Sequence, residues 1–398
     1  LNTFSPSKRL QLFLLVVLSL FVASACAPIR MGVAWGALAQ VDVNNAPRVF
    51  VAYNNWAILL DPSTGKIASL LDDEGNIRFD EQGNPRRWEV DGNKFETTQF
   101  FTRPLLRDND GVASLLLGAH TNRLIEVDLN TARVDNPAGI KLDGPVVADI
   151  AEDDTTYYVP LENHDVVAID KTTLAEVWQF ATLRGVWAKP LLVDDILYVV
   201  TVDHLLYAID TATGEAVWEN PTDLRGLIGA TPALYNGALY VGNADKHLFK
   251  IDAQSGEILD EFATNGWVWS TPIIVDDMLY ITDLSGYVYA LNPNDFSVVW
   301  QVQTPDGGIR PSPVVAEQYV VVATRHGKMY WLNRANGTIM IEREIEGRPE
   351  VLSDLLLVTA NEEAEVYESL VLVSSLNMTH LVVAYSLEGG NLKWVYGR

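Results

Sequence analysis

In 398 residues the chain carries 52 acidic and 28 basic side chains, a net charge of −24, with 48% apolar residues and one cysteine. Such acidity repels nucleic-acid phosphates and anionic lipid headgroups, which excludes general nucleic-acid binding and membrane binding through a basic patch. A single cysteine makes no internal disulfide and no paired-cysteine zinc or iron–sulfur framework.

Lys8 and Arg9 precede an apolar run over residues 10–22 and then Ala23-Ser24-Ala25-Cys26. A basic start, a short apolar stretch and small residues at a cleavage point are the layout of a secretory signal, so residues 1–25 are expected to direct export. The run falls short of the roughly 20 residues that span a bilayer. Cleavage at Ala37-Leu38-Ala39, with Cys26 discarded, is the competing reading. Residues 26–46 read as a tether. Within them, 37–43 is either the innermost strand of the first repeat or a strand that closes a ring by pairing with the last one.

From residue 47 onward one frame recurs. LYVVTVDHLLYAIDTATGEAVW at 197–218 returns as LYVGNADKHLFKIDAQSGEIL, LYITDLSGYVYALNPNDFSVVW and VVVATRHGKMYWLNRANGTIM downstream, and in three copies upstream. A looser last copy ends in LKWVY. Prolines at 104, 145, 190, 232, 272, 313 and 349 open most units, a period of about forty residues over eight copies. Short alternating β-branched and aromatic runs between Asp-Asp, Asn-Gly and Thr-Gly turns predict four antiparallel strands per unit. Eight such units without covering helices are best accommodated as an all-β, eight-bladed β-propeller, whose radial packing leaves only short edges. Residues 72–102 form an insertion in the first blade. The closed ring is expected to be a monomer.

AIDTATGEAVW at 208–218 and its echoes resemble the repeat of pyrroloquinoline-quinone-type propellers. The resemblance implies that the aspartate and Thr-Gly shape the last hairpin of a blade, and that Trp178, Trp218, Trp300 and Trp394 dock on the neighbouring blade. Ala-Ser-Ala-Cys resembles a lipobox, which implies lipid attachment at Cys26 and a protein held on the extracytoplasmic side of a membrane. One branch of the propeller family, the quinoprotein dehydrogenases, holds pyrroloquinoline quinone (PQQ) over a tryptophan beside calcium. The chain resembles that branch in its repeats alone, so the quinone with calcium is the alternative and no cofactor is expected. In layout the chain resembles the lipoprotein propeller of outer-membrane β-barrel assembly, a non-catalytic scaffold in which a Leu-Arg-Gly loop docks a partner protein. That motif stands here twice, at Leu183-Arg184-Gly185 and Leu224-Arg225-Gly226. The acidic pair expected before the next proline is absent, the loop reading Leu227-Ile228-Gly229-Ala230-Thr231.

The loops between one blade and the next carry Arg184, Arg225, Trp187, Trp267, Trp269, Arg310 and Arg348, all expected around one mouth of the channel. Arginine and tryptophan are the side chains most enriched where binding energy concentrates. These residues, with Leu183 and Leu224, are therefore the candidates for contact with another envelope or membrane protein; Trp267 and Trp269 would serve a carbohydrate binder. His120, His164, His204, His247 and His326 share one phase and read as turn residues. The Asp-Asp pairs read as turn chemistry, not calcium ligands. With no glycine-rich phosphate loop, no G-x-S-x-G and no H-E-x-x-H, no catalytic residue and no metal site is assigned.

Overall fold

A strand covered on both faces reads as a continuous apolar run, whereas a strand at an edge alternates. Both patterns recur blade by blade in the computed structural model, which describes residues 37–398 apart from 44–45, 73–75, 95–98, 110–111, 135 and 363–365. The expected signal segment, residues 1–25, and Cys26 lie outside the described residues. Among the described residues, eight four-stranded antiparallel sheets follow one another, each with its strands in sequence order, as an eight-bladed propeller. Blade 1 comprises Ala37–Val43, Ala46–Tyr53, Trp56–Leu60 and Glu89–Asp91. Blades 2 to 8 span residues 105–141, 151–181, 191–223, 233–263, 273–303, 314–344 and 356–396. In blade 4 the two middle strands, Ile196–Val200 and Leu205–Asp210, are buried along nearly their whole length. Outermost strands such as Ile339–Glu344 alternate between half-buried and exposed.

Ala37–Val43 pairs with Ala46–Tyr53 in the register Ala37↔Ala52 to Val43↔Ala46, so it is the innermost strand of blade 1. The ring closes through side chains. Leu38, Val49 and Ile58 of blade 1 share a core with Leu370, Leu372 and Trp394 of blade 8.

The seams between blades follow one rule. Trp178, Trp218, Trp300 and Trp394 each donate the indole N–H to a carbonyl of the next blade's last hairpin, at Thr211 (2.8 Å), Gln254 (3.1 Å), Arg334 (2.9 Å) and Pro62 (2.8 Å). Each ring lies flat over a glycine of that hairpin: Gly214, Gly256, Gly337 and Gly65, all at positive φ. A Cβ on any of them would stand 2.4 to 2.8 Å from the indole. Trp88, which the broken spacing of blade 1 hides, serves the next seam with a 2.8 Å bond to Leu129 O. The seams entering blades 3, 6 and 8 lack the outer-strand tryptophan; at the first two the equivalent hairpin position is Leu174 or Phe296, at φ 57° and 55°, and at the third it is Gly390. At the seams into blades 3 and 6 a bulky hairpin side chain takes the place of the outer-strand indole, whereas at the seam into blade 8 Ile341 of the outer strand lies over Gly390. Each solution removes apolar surface from water between blades.

Candidate docking face at the channel mouth

Loops that lead from one blade into the inner strand of the next interlock with the turns between the second and third strands of both blades. Thr182, Leu224, Thr264 and Thr304 donate their backbone N–H to His164, His204, Lys246 and Gly286 carbonyls at 2.7 to 2.9 Å. Three or four residues on, the carbonyls of Gly185, Leu227, Trp267 and Gly308 accept from the next turn at 2.8 to 3.1 Å. With both ends of each loop bonded, the side chains between them are displayed from a fixed frame.

That frame separates the two Leu-Arg-Gly tripeptides. In the first, Thr182 occupies the anchoring position, so Leu183 projects outward, 66% exposed, and Arg184 is exposed with no side-chain partner among the described residues. In the second the register is offset by one residue. Leu224 itself takes the anchoring position and is 0% exposed, inside the core shared by blades 4 and 5. Leu224 is therefore corrected from a surface candidate to a core residue. Arg225 stands where Leu183 stands in the other loop, but it is ion-paired with Glu261 and lies 4.8 Å over the Phe249 ring. The sequence holds the signal for this difference: Leu183 lies seven residues before Pro190, whereas Leu224 lies eight before Pro232.

Trp187 and Trp267 are half-buried on their loops. Trp269 and Arg310 come together, the guanidinium 4.8 Å over the indole. Burial pushes the Arg310 pKa down to about 10, and the charge of Arg325 adds to the shift. Arg348 is ion-paired with Asp306, with Glu344 at 3.7 Å. Of the four arginines proposed for this rim, Arg184 stands apart as exposed and unpaired. Among the histidines, His164 and His204 hold turn positions at φ 89° and 90°, and His204 Nδ1 lies 2.9 Å from Asp223. No group of three His, Cys, Asp or Glu side chains converges as a metal site among the described residues.

Two features of the mouth have no counterpart in the motif reading. Lys189, exposed and unpartnered among the described residues, stands on the same loop as Arg184. A girdle of bonds also links the segments just ahead of the inner strands. Arg103 N–H donates to Asp149 (2.6 Å), Thr271 N–H to Ser312 (2.9 Å) and Ser312 N–H to Asp354 (2.7 Å). The Arg103 guanidinium joins Asp354 at 3.4 Å and Asp149 at 3.5 Å. These residues share a phase just ahead of the inner strands but no common letter, so no repeat comparison reveals them. Arg310 lies over the face of Trp269, and Asp149 and Asp354 are both engaged by Arg103.

Residues 73–259 and 222–397 match the family described as outer membrane protein assembly factor BamB. No curated protein matches the chain. Among solved structures, BamB from Moraxella catarrhalis is similar at 20% identity and a TM-score of 0.59, covering 87% of this chain and 97% of that one. The computationally designed Ika8 protein is similar at 14% identity and a TM-score of 0.64, covering 89% and 98%. Both likenesses are of fold, and a fold does not name an activity. With its repeats matched over most of their length, this eight-bladed chain belongs to the family of the outer membrane protein assembly factor BamB.

Proposed function

We propose that this chain is a non-catalytic docking propeller that binds another cell-envelope protein through the loop carrying Leu183 and Arg184. It would work on the extracytoplasmic side of a membrane, tethered through Cys26. Membership of an assembly-factor family supports the scaffold role. One observation carries the assignment of the site: an exposed leucine beside an unpaired arginine, on a loop bonded at both ends, in a chain whose other rim arginines are ion-paired, as Arg225 and Arg348 are, or packed against an indole, as Arg310 is. An apolar anchor next to an uncompensated charge on a rigid base is what an interface rewards, since little ordering entropy remains to be lost on binding.

The test is capture of a partner from detergent-solubilised envelope. Arg184→Glu, alone or with Leu183→Glu, is expected to lower capture by about tenfold or more, equivalent to about 1.4 kcal/mol, with an unchanged melting temperature. Arg225→Glu breaks an exposed intramolecular pair worth about 0 to 1 kcal/mol and is expected to leave capture within a few-fold of wild type. Capture that survives Arg184→Glu and Leu183→Glu together overturns the assignment. The tether is tested by fractionation, where Cys26→Ser is expected to move the protein from the membrane to the soluble fraction.

A further inference from the structure

Blade 1 carries additional hairpins between its third strand and Glu89–Asp91, held by bridges that pair Ser69 with Arg87 and Phe79 with Pro85. They meet the end of blade 8's last strand, Leu392–Tyr396, at the seam where the ring closes. A cleft of about 500 Å³ opens between them, with Lys66, Ile67, Pro85 and Arg87 on one side and Tyr396 on the other. A volume of that size suits a small molecule.

The chemistry of the lining is unusual for so acidic a chain. Lys66 and Arg87 are exposed, and neither side chain has a hydrogen-bond or ion-pair partner among the described residues. A third cation at the cleft, Arg398, is by contrast fully engaged, paired with Glu89 and 3.7 Å over the Trp56 ring. The Tyr396 hydroxyl has no partner among the described residues either. Burial raises its pKa and the charge of Arg87 opposes the rise, which places the guanidinium within electrostatic reach of the ring. Ile67, Pro85 and the Tyr396 ring add apolar surface to the same lining. Two free cations beside an aromatic surface complement an anion mounted on a ring.

We propose that this cleft is a binding site for a small ring-bearing oxyanion, a phosphate or carboxylate, held by Lys66 and Arg87 with its ring against Tyr396 and Pro85. The site is remote in sequence from the loop of Leu183 and Arg184 and does not depend on it. Trp394, whose ring packs on the cleft residue Gly65, is a built-in reporter. The full chain would be titrated at low salt with phenyl phosphate, benzoate and inorganic phosphate while tryptophan fluorescence is recorded, with calorimetry in parallel. A saturable response to phenyl phosphate or benzoate is expected with a Kd of about 1 mM or tighter, and the stronger of the two identifies the preferred anion. Arg87→Glu and Lys66→Glu should each weaken binding by about tenfold without lowering the melting temperature, while Arg184→Glu should leave it unchanged. A non-saturating response, or affinity unaltered in both cleft variants, overturns the site. Inorganic phosphate binding as tightly as phenyl phosphate overturns the role of the ring.

Discussion

Asp210 accepts hydrogen bonds from the Thr213 backbone N–H (2.8 Å) and hydroxyl (2.9 Å), and Asp170 with Thr173 and Asp252 with Ser255 repeat the arrangement. The backbone bond first, then the hydroxyl bond, hold these carboxyls below their ordinary pKa. A carboxyl depressed in the folded state stabilises the fold above its unfolded pKa, and that stability is lost as the pH falls through the folded value. Thr213→Val removes the hydroxyl and keeps the backbone donor. It is expected to leave the protein folded at pH 7 and to move its acid-unfolding midpoint to higher pH in a circular-dichroism titration. An unchanged midpoint would mean that the hydroxyl bond is replaced by water. At the same scale, identical letters receive different fates: Leu183 and Leu224 share a tripeptide, but only one of them reaches solvent.

Between blades, the alternation of indole-over-glycine with leucine or phenylalanine in the hairpin predicts a coupled pair. Gly214→Leu drives a side chain into Trp178 and is expected to cost about 1 to 3 kcal/mol as overpacking. Trp178→Ala is expected to cost about 3 kcal/mol by opening the seam. Combined, the two changes recreate the composition of the seams at Leu174 and Phe296, so the double variant should be more stable than the sum of the single losses by roughly 0.5 to 3 kcal/mol. Denaturant unfolding of the four proteins in the cycle reads this directly, and simple additivity would sink the rule.

At the scale of the whole ring, seven seams join blades that are also consecutive along the chain. Among the described residues the eighth joins blade 8 to blade 1 through side-chain packing and the bond from the Trp394 indole to the Pro62 carbonyl, with Trp394 over Gly65. Trp394→Ala is expected to cost about 3 to 5 kcal/mol. The first amides to lose hydrogen-exchange protection should be those of blades 1 and 8, because no covalent link holds that seam when its packing fails. Uniform loss of protection around the ring would instead mark a single cooperative unit.

The sequence by itself determined the number of blades, the four strands in each and the docking of Trp178, Trp218, Trp300 and Trp394. The blades and strands rest on local patterning and turn chemistry; the docking rests on the resemblance of the repeat to pyrroloquinoline-quinone-type propellers, each tryptophan standing eight residues after the residue that opens the hairpin before it. Trp88 escaped the pattern because the insertion ahead of it breaks the offset. Only the tertiary structure decided which arginines of the rim are free, since pairing with Glu261, Asp306 or Glu344 depends on residues from other strands and loops meeting in space. The same holds for the girdle through Arg103 and Asp354, whose members are 251 positions apart, and for the cleft at Arg87 and Tyr396, which exists only once the first and last blades meet. Periodicity is a short-range property and survives in one dimension. A binding surface is the set of groups left unsatisfied after folding, and that set is defined only when every neighbour is in place.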